Sequence, residues 1–265
     1  MSTRGSYPPG VFCWVDLMTT DAATAKVFYT GLFGWDFVDD ASQPGGVYTM
    51  YRHRGHMVAG MGEMNPSMKA SSEAPGWNNY IATDDMDDFA AKVTAQGGTT
   101  VFPPMDVGQA GRLAFFTDPE GVKFAAWQAG EHCGSTLVNE PGAPLWTELA
   151  TRDLAQAEAF YGGLCGWSFH TSTAKEDTYT HIKIGGRSVG GVRCLGGGEE
   201  ANISPHWVPY FAVADLHATA AKVGELGGRV LVGPVDIDVG TFIAISDPQG
   251  AVFMAMQLTV DEEPL

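Results

Sequence analysis

Residues 14–35 read WVDLMTTDAATAKVFYTGLFGW, and residues 146–167 read WTELATRDLAQAEAFYGGLCGW. The second stretch repeats the first at a displacement of 132 residues without a gap, with 12 of 22 positions identical. A period this long is not a solenoid unit; it means two copies of a whole domain. Asp16 becomes Glu148, so the acid is kept while its chemistry is only lengthened by a methylene.

Working outward, alternation over residues 12–18 predicts a strand with Val15 and Leu17 on one face and Trp14, Asp16 and Met18 on the other. Asp21 is placed to cap a helix carrying Ala22, Ala25, Phe28, Tyr29 and Leu32, and Gly34 ends it. Strand-like runs at 35–38, 47–51 and 57–61 complete a β-α-β-β-β order. A second module repeats that order: a strand at 78–82, a helix face of Met86, Phe89, Ala90 and Val93, a stop at Gly97-Gly98, then strands at 100–102, 111–117 and 122–128. Its last two strands are joined by Asp118-Pro119-Glu120-Gly121, good type I turn chemistry that returns as Asp247-Pro248-Gln249-Gly250. The chain therefore reads as α+β, four βαβββ modules in two domains: 11–129 (modules 11–62 and 77–128) and 144–258 (modules 144–195 and 206–258). Residues 1–10 read as a loose arm, 63–76 and 129–143 as linkers, 192–205 as flexible, and 259–265 as an acidic tail.

With 31 Asp and Glu against 15 Lys and Arg, the formal charge of −16 disfavours nucleic acid and anionic membrane surfaces. Apolar content of 45% is enough for a core in each half. Cys13, Cys133, Cys165 and Cys194 show no Cys-x-x-Cys spacing, as expected of reduced thiols in a cytoplasmic protein. No secretory leader and no membrane span is expected. Monomer and homodimer both remain open.

Four ordered modules, the helix-end Phe-Tyr followed by Gly-Leu-x-Gly-Trp, and the Asp-Pro-x-Gly turns together resemble the vicinal oxygen chelate superfamily of glyoxalases, bleomycin-resistance proteins and extradiol dioxygenases. The resemblance implies that paired modules curl into half-barrels whose concave faces hold a ligand. It also implies metal ligands at defined strand positions, which here are Trp14, Asn78, Ala125, Trp146, Val208 and Met254. None is a His or a carboxylate, so no cofactor is expected; a divalent metal remains possible without support from those positions.

Strand alternation puts other groups on the concave faces. In the first cup these are Trp14, Asp16, Tyr48, Met50, Asn78, Tyr80 and Trp127, with Arg112 within reach. In the second they are Trp146, Glu148, Tyr179, His181, Tyr210, Met254 and Met256. A carboxylate walled by Trp and Tyr is desolvated, which raises its pKa toward general-base use. Glu148 or Asp16 is the expected base, with His181 and Tyr210 as proton-handling partners. Each also has a structural reading: the Trp rings as filling, the acids as acceptors for Tyr hydroxyls, and His181 as an ordinary strand residue. His53, His56, His132 and His217 carry no pattern, while His206 stands near a cup mouth. The expectation is a metal-independent glyoxalase-like protein that binds a small aromatic or apolar metabolite, acting as an isomerase, lyase or cyclase. The alternatives are a sequestering resistance protein without catalysis, and a metal enzyme with ligands drawn from Asp16, Glu148, His181 and His206.

Overall fold

The computed structural model describes residues 2–41, 46–71, 74–174 and 177–259. The first half runs β1 (Phe12–Thr19), α1 (Ala22–Phe33), β2 (Asp36–Asp40), β3 (Tyr48–His53), β4 (His56–Glu63), a short α2 (Pro66–Ala70), β5 (Gly76–Ala82), α3 (Met86–Ala95), β6 (Thr99–Val107), β7 (Gly111–Thr117) and β8 (Lys123–Ala129). The second half runs β9 (Pro144–Thr151), α4 (Leu154–Cys165), β10 (Ser168–Ala174), β11 (Asp177–Ile184), β12 (Arg187–Cys194), a 3-10 turn (Gly198–Asn202), β13 (His206–Ala212), α5 (Leu216–Glu225), β14 (Arg229–Ile237), β15 (Gly240–Ser246) and β16 (Val252–Leu258). Each half forms one eight-stranded sheet, in the orders β2-β3-β4-β1-β5-β8-β7-β6 and β10-β11-β12-β9-β13-β16-β15-β14. This is the α+β fold of two paired-module half-barrels that the repeat implied.

The predicted caps form. Asp21 accepts from Thr24 N at 3.0 Å and Asp153 from Gln156 N at 2.9 Å, while Gly34 and Gly166 close α1 and α4 with φ of 70° and 68°. The alternation in β1 also holds. Val15 and Leu17 enter the core beneath the helices, and Trp14 joins the cluster on the concave side.

That core is shared crosswise. Phe28, Tyr29 and Phe33 of α1 pack with Phe211, Ile245 and Phe253 of the last module, and Phe160, Tyr161 and Leu164 of α4 pack with Phe116 and Phe124 of the second. The two halves are thus back to back, with their cups facing outward. The turn motifs complete this junction. Tyr29 Oη donates to Asp247 Oδ2 at 2.9 Å and Tyr161 Oη to Asp118 Oδ2 at 3.1 Å, each hydroxyl also accepting from an indole, Trp77 or Trp207. The other carboxylate oxygen closes its own turn, accepting from the amides of Val122 and Ala251. Burial raises both Asp pKa values despite these donors. The helix-end Tyr and the turn Asp, separate motifs in the sequence, meet across the two halves.

Two expectations of looseness, at 1–10 and 192–205, are corrected. The arm at 1–10 is tied down: Arg4 N donates to Thr136 O, Thr3 bridges Leu137, and Tyr7 Oη donates to Ser135 O at 2.6 Å. The same contacts make 129–143 a packed segment, with Ser135 and Leu137 buried. In 192–205 the Arg152 guanidinium gathers the carbonyls of Gly196, Glu200, Ala201 and Ile203. Composition signals the absence of a repeating period, but buried loop carbonyls still require donors. The tail expected at 259–265 lies, from 260 onward, outside the described residues. All four cysteines are free.

Removing one hydroxyl from the crossed Tyr–Asp pairs leaves a buried carboxylate short of a donor. Tyr29→Phe or Tyr161→Phe is expected to cost about 1–3 kcal/mol. Urea unfolding followed by tryptophan fluorescence should show this as a lower midpoint in a single transition.

Candidate functional site

The cups are built by the same device twice. In the first, β1 places Asp16 between Gly60 of β4 and Asn78 of β5. Asp16 Oδ2 accepts from Tyr80 Oη at 2.8 Å and Tyr48 Oη at 3.1 Å, and Oδ1 accepts from Asn78 Nδ2 at 2.8 Å. Trp14 Nε1 donates to Tyr48 Oη at 3.1 Å. In the second, β9 places Glu148 between Gly191 of β12 and Val208 of β13. The hydroxyls of Tyr179 and Tyr210 donate to Glu148, and Trp146 Nε1 donates to Tyr179 Oη at 2.9 Å. Both acids are 5% exposed.

A glycine makes each arrangement possible. A Cβ on Gly60 would lie 1.9 Å from Tyr48 Oη, and one on Gly191 would lie 1.9 Å from Tyr179 Oη. The tyrosine crosses its neighbouring strand over bare backbone to reach the acid one strand further on.

Burial raises the pKa of Asp16 against the three donors that stabilise its charge. Burial likewise raises Glu148, countered by Tyr179, Arg193 and Tyr210. The tyrosines are pushed well up by burial and by the carboxylates, so they stay protonated and act as donors. His181 faces the second cup, its ring 5.2 Å from that of Tyr179 and 6.3 Å from that of Trp146. Its buried Nδ1 has no hydrogen-bond partner among the described residues, and burial lowers its pKa, which favours a neutral imidazole.

The remaining candidates divide. Met254 and Met256 sit with Leu145, Trp146 and Tyr210 in the second cup. Trp127 sits in the first, its Nε1 donating to His132 O at 2.7 Å. Arg112 does not reach the first cup. Leu113 takes the concave side of β7, so its neighbour points the other way, and its guanidinium is held by Asp87 at 2.9 Å and Asp106 at 3.0 Å.

Two residues outside the expected set alter the picture. His132, from the segment read as a linker, lies edge-on to Trp14 (centroids 4.5 Å apart) and Trp127 (5.5 Å). Both its ring nitrogens are buried without partners among the described residues, and burial lowers its pKa to about 4. It fills the first cup. No repeat or period marks it. Arg193, on β12, brings Nε to 3.7 Å from Glu148 Oε1 and also pairs with Glu200. Its signal was present in the repeat, where the equivalent residue is Gly62. Trp14 is 4% exposed beneath His132, whereas its counterpart Trp146 and Met254 beside it are half-buried; Tyr48 and Met50 are half-buried like their counterparts Tyr179 and His181.

The family's metal positions all line the cups, but the donors there do not suit an ion. Asn78 has committed its amide to Asp16, whose oxygens already take three hydrogen bonds, and the other five positions bear Trp, Ala, Val or Met. Among the described residues no group of three or more His, Cys, Asp or Glu converges. Asp16 stands in the other cup from Glu148, His181 and His206, so the four cannot form one site.

Two outward-facing cups of paired βαβββ modules, each centred on a strand-borne carboxylate, define a glyoxalase-like architecture. The chain belongs to the Glyoxalase/Bleomycin resistance protein/Dioxygenase superfamily, whose family model matches residues 12–126. It is 44% identical over 262 residues, 97% of this chain and 98% of the relative, to "Putative glyoxylase CFP32" of Mycobacterium tuberculosis. It is 34% identical, over 95% of this chain and 94% of the relative, to "Anthracycline biosynthesis protein DnrV" of Streptomyces peucetius. Among solved structures, the Mn(II)-bound glyoxalase from Novosphingobium aromaticivorans matches with a TM-score of 0.64 at 14% identity, covering 94% of this chain and 82% of that one. The 2,3-dioxygenase LapB from Pseudomonas sp. KL28 matches at 0.63 and 16%, covering 97% of each. At such identities these two likenesses speak for the fold.

Gly191→Ala should displace Tyr179 and strip a donor from Glu148, raising the pKa of that carboxyl further; a 13C NMR titration of Glu148 reads this directly. A second outcome follows from linkage. The folded-state pKa values of Asp16 and Glu148 lie above their ordinary 3.8 and 4.5. Their stabilising contribution is therefore present in acid below those values and is lost as pH rises through the raised ones. Relative to the native chain, Glu148→Gln should gain stability between about pH 4 and 7, measured by urea midpoints across that range.

Proposed function

We propose that the second cup is the working site: a metal-independent pocket that takes a small planar aromatic or apolar metabolite and moves a proton with Glu148. The observation that carries this is a single asymmetry. Both cups hold a desolvated carboxylate between tyrosines, but His132 covers Trp14 in the first, whereas in the second Trp146 is half-buried and Arg193 and a His181 nitrogen without a partner among the described residues are added. The names of relatives from anthracycline biosynthesis support a small-molecule ligand.

The chemistry follows from the groups present. A carboxylate whose pKa is raised by burial is a better base than one in water. It takes a proton from a carbon next to a carbonyl, and the electron pair moves onto that carbonyl oxygen. The protonated hydroxyls of Tyr179 and Tyr210 hydrogen-bond the resulting enolate. Return of the proton from Glu148 to a different atom completes an isomerisation, and expulsion of a β-substituent completes an elimination. His181 Nδ1, neutral and without a partner among the described residues, receives the proton when it must leave Glu148. Trp146, Met254 and Met256 orient the ligand by stacking and apolar contact.

With a ligand drawn from a native mass-spectrometry screen of aromatic metabolites, turnover and solvent deuterium incorporation test the reading. Glu148→Gln should lower turnover about 10²–10⁴-fold, whereas Asp16→Asn should leave it within a few-fold. Tight binding with no product and no deuterium uptake would instead make the protein a sequestering one. Unchanged turnover and affinity in Glu148→Gln would remove the second cup from consideration.

A further inference from the structure

The two cups descend from one repeat, so aligned positions on their concave walls show how each was specialised. On the outer strands, Asp36, Val38 and Asp40 of β2 correspond to Ser168, His170 and Ser172 of β10. Met50 corresponds to His181, Gly62 to Arg193 and Gly76 to His206. All six second-cup positions lie on the concave face. Ser168, His170 and Ser172 pair across β10–β11 with Lys183, His181 and Tyr179, and Arg193 and His206 both pair with Ala150, two residues from Glu148. Every one of the six changes removes an acid or adds a basic or titratable nitrogen. Two acids are lost and one arginine is gained before any histidine is counted.

The local pairing reinforces this. In the first half Arg52 is neutralised by Asp36 at 2.6 Å. In the second, Lys183 stands in its place and faces Ser168. Arg193 is shared between Glu148 and Glu200, so among the described residues the uncommitted positive charge on this wall is that of Lys183, with the imidazoles of His170 and His181 beside it as hydrogen-bonding groups. These groups are neighbours across the β10–β11 pair, and His181, lowered by burial and then by Lys183 and His170, offers an uncharged imidazole beside the lysine. In a chain of net charge −16 a cup wall shifted this way is a local reversal, and such a wall selects ligands of opposite sign.

We infer that the second cup recognises a planar ligand bearing an anionic oxygen group, carboxylate or phosphate, seated on the β10–β11 wall against Lys183, His170 and His181. This rests on the second cup being the binding site. The wall is two to three strand spacings from β9, about 10–14 Å. The charge therefore anchors one end of the ligand while its ring lies toward Trp146 and Tyr210, and it does not sit against Glu148.

The test uses 2-naphthoate, 2-naphthyl phosphate and uncharged 2-naphthamide, read by NMR shifts of the Trp146 indole N–H in the full chain. At least one anionic probe should bind tenfold or more tightly than the amide, with a preference that shrinks as salt is raised. Restoring the first cup's acids at two exposed positions, Ser168→Asp with Ser172→Asp, should cut the preference to about twofold or less without moving amide affinity. Equal binding of all three probes at Trp146 would overturn the charge preference while leaving the site in place. No shift at Trp146 with any probe would overturn this inference, and the Glu148→Gln measurement would then judge the site independently. A preference untouched by the two aspartates would refute the role of the β10–β11 wall.

Discussion

A curled sheet with helices on one face leaves that face apolar, and a half of this size cannot cover it alone. Back-to-back packing of the two halves supplies the cover, and the crossed Tyr29–Asp247 and Tyr161–Asp118 hydrogen bonds set its alignment. Each Asp closes its own turn with one oxygen and receives the opposite helix with the other. Burial makes these pairs demanding, because a carboxyl without its donors would carry its full desolvation cost. The concave faces are thereby turned outward, which is what leaves them available to ligands.

On those faces one carboxylate per cup survives at the same place, held by a Trp–Tyr–acid–Tyr chain that depends on a glycine in the adjoining strand. Duplication left two copies of this device, and the surroundings then separated them. In the first cup the chain's own His132 occupies the hollow, and Asn78 adds a third donor to the acid. In the second, Val208 replaces that amide and Arg193 approaches instead. Similar acids thus stand beside an amide under the chain's own histidine in one cup and beside an arginine in the other.

Much of the architecture was legible without coordinates, because period-two and 3.6-residue patterns, caps and turn residues are local signals. The repeat made them count twice. The facing of Trp14, Asp16, Trp146, Glu148, Tyr210 and His181 followed from alternation alone. Arg112 failed the same reasoning because the register of β7 is set by its partners, and Asp87 and Asp106 draw the guanidinium to the helix side. The supposed loose arm failed because composition reports missing periodicity and is silent on whether irregular chain is held by hydrogen bonds.

By itself the sequence determined the module count, the duplication, the capped helices and the retention of an acid at 16 and 148, all of which are written in residues near one another or in exact repetition. Only the tertiary structure decided that Tyr29 would meet Asp247 and that His132 would lie against Trp14 in one cup. Each of those contacts joins residues from different elements, brought together by sheet register and by the packing of one half on the other, and neither leaves a local trace in the chain.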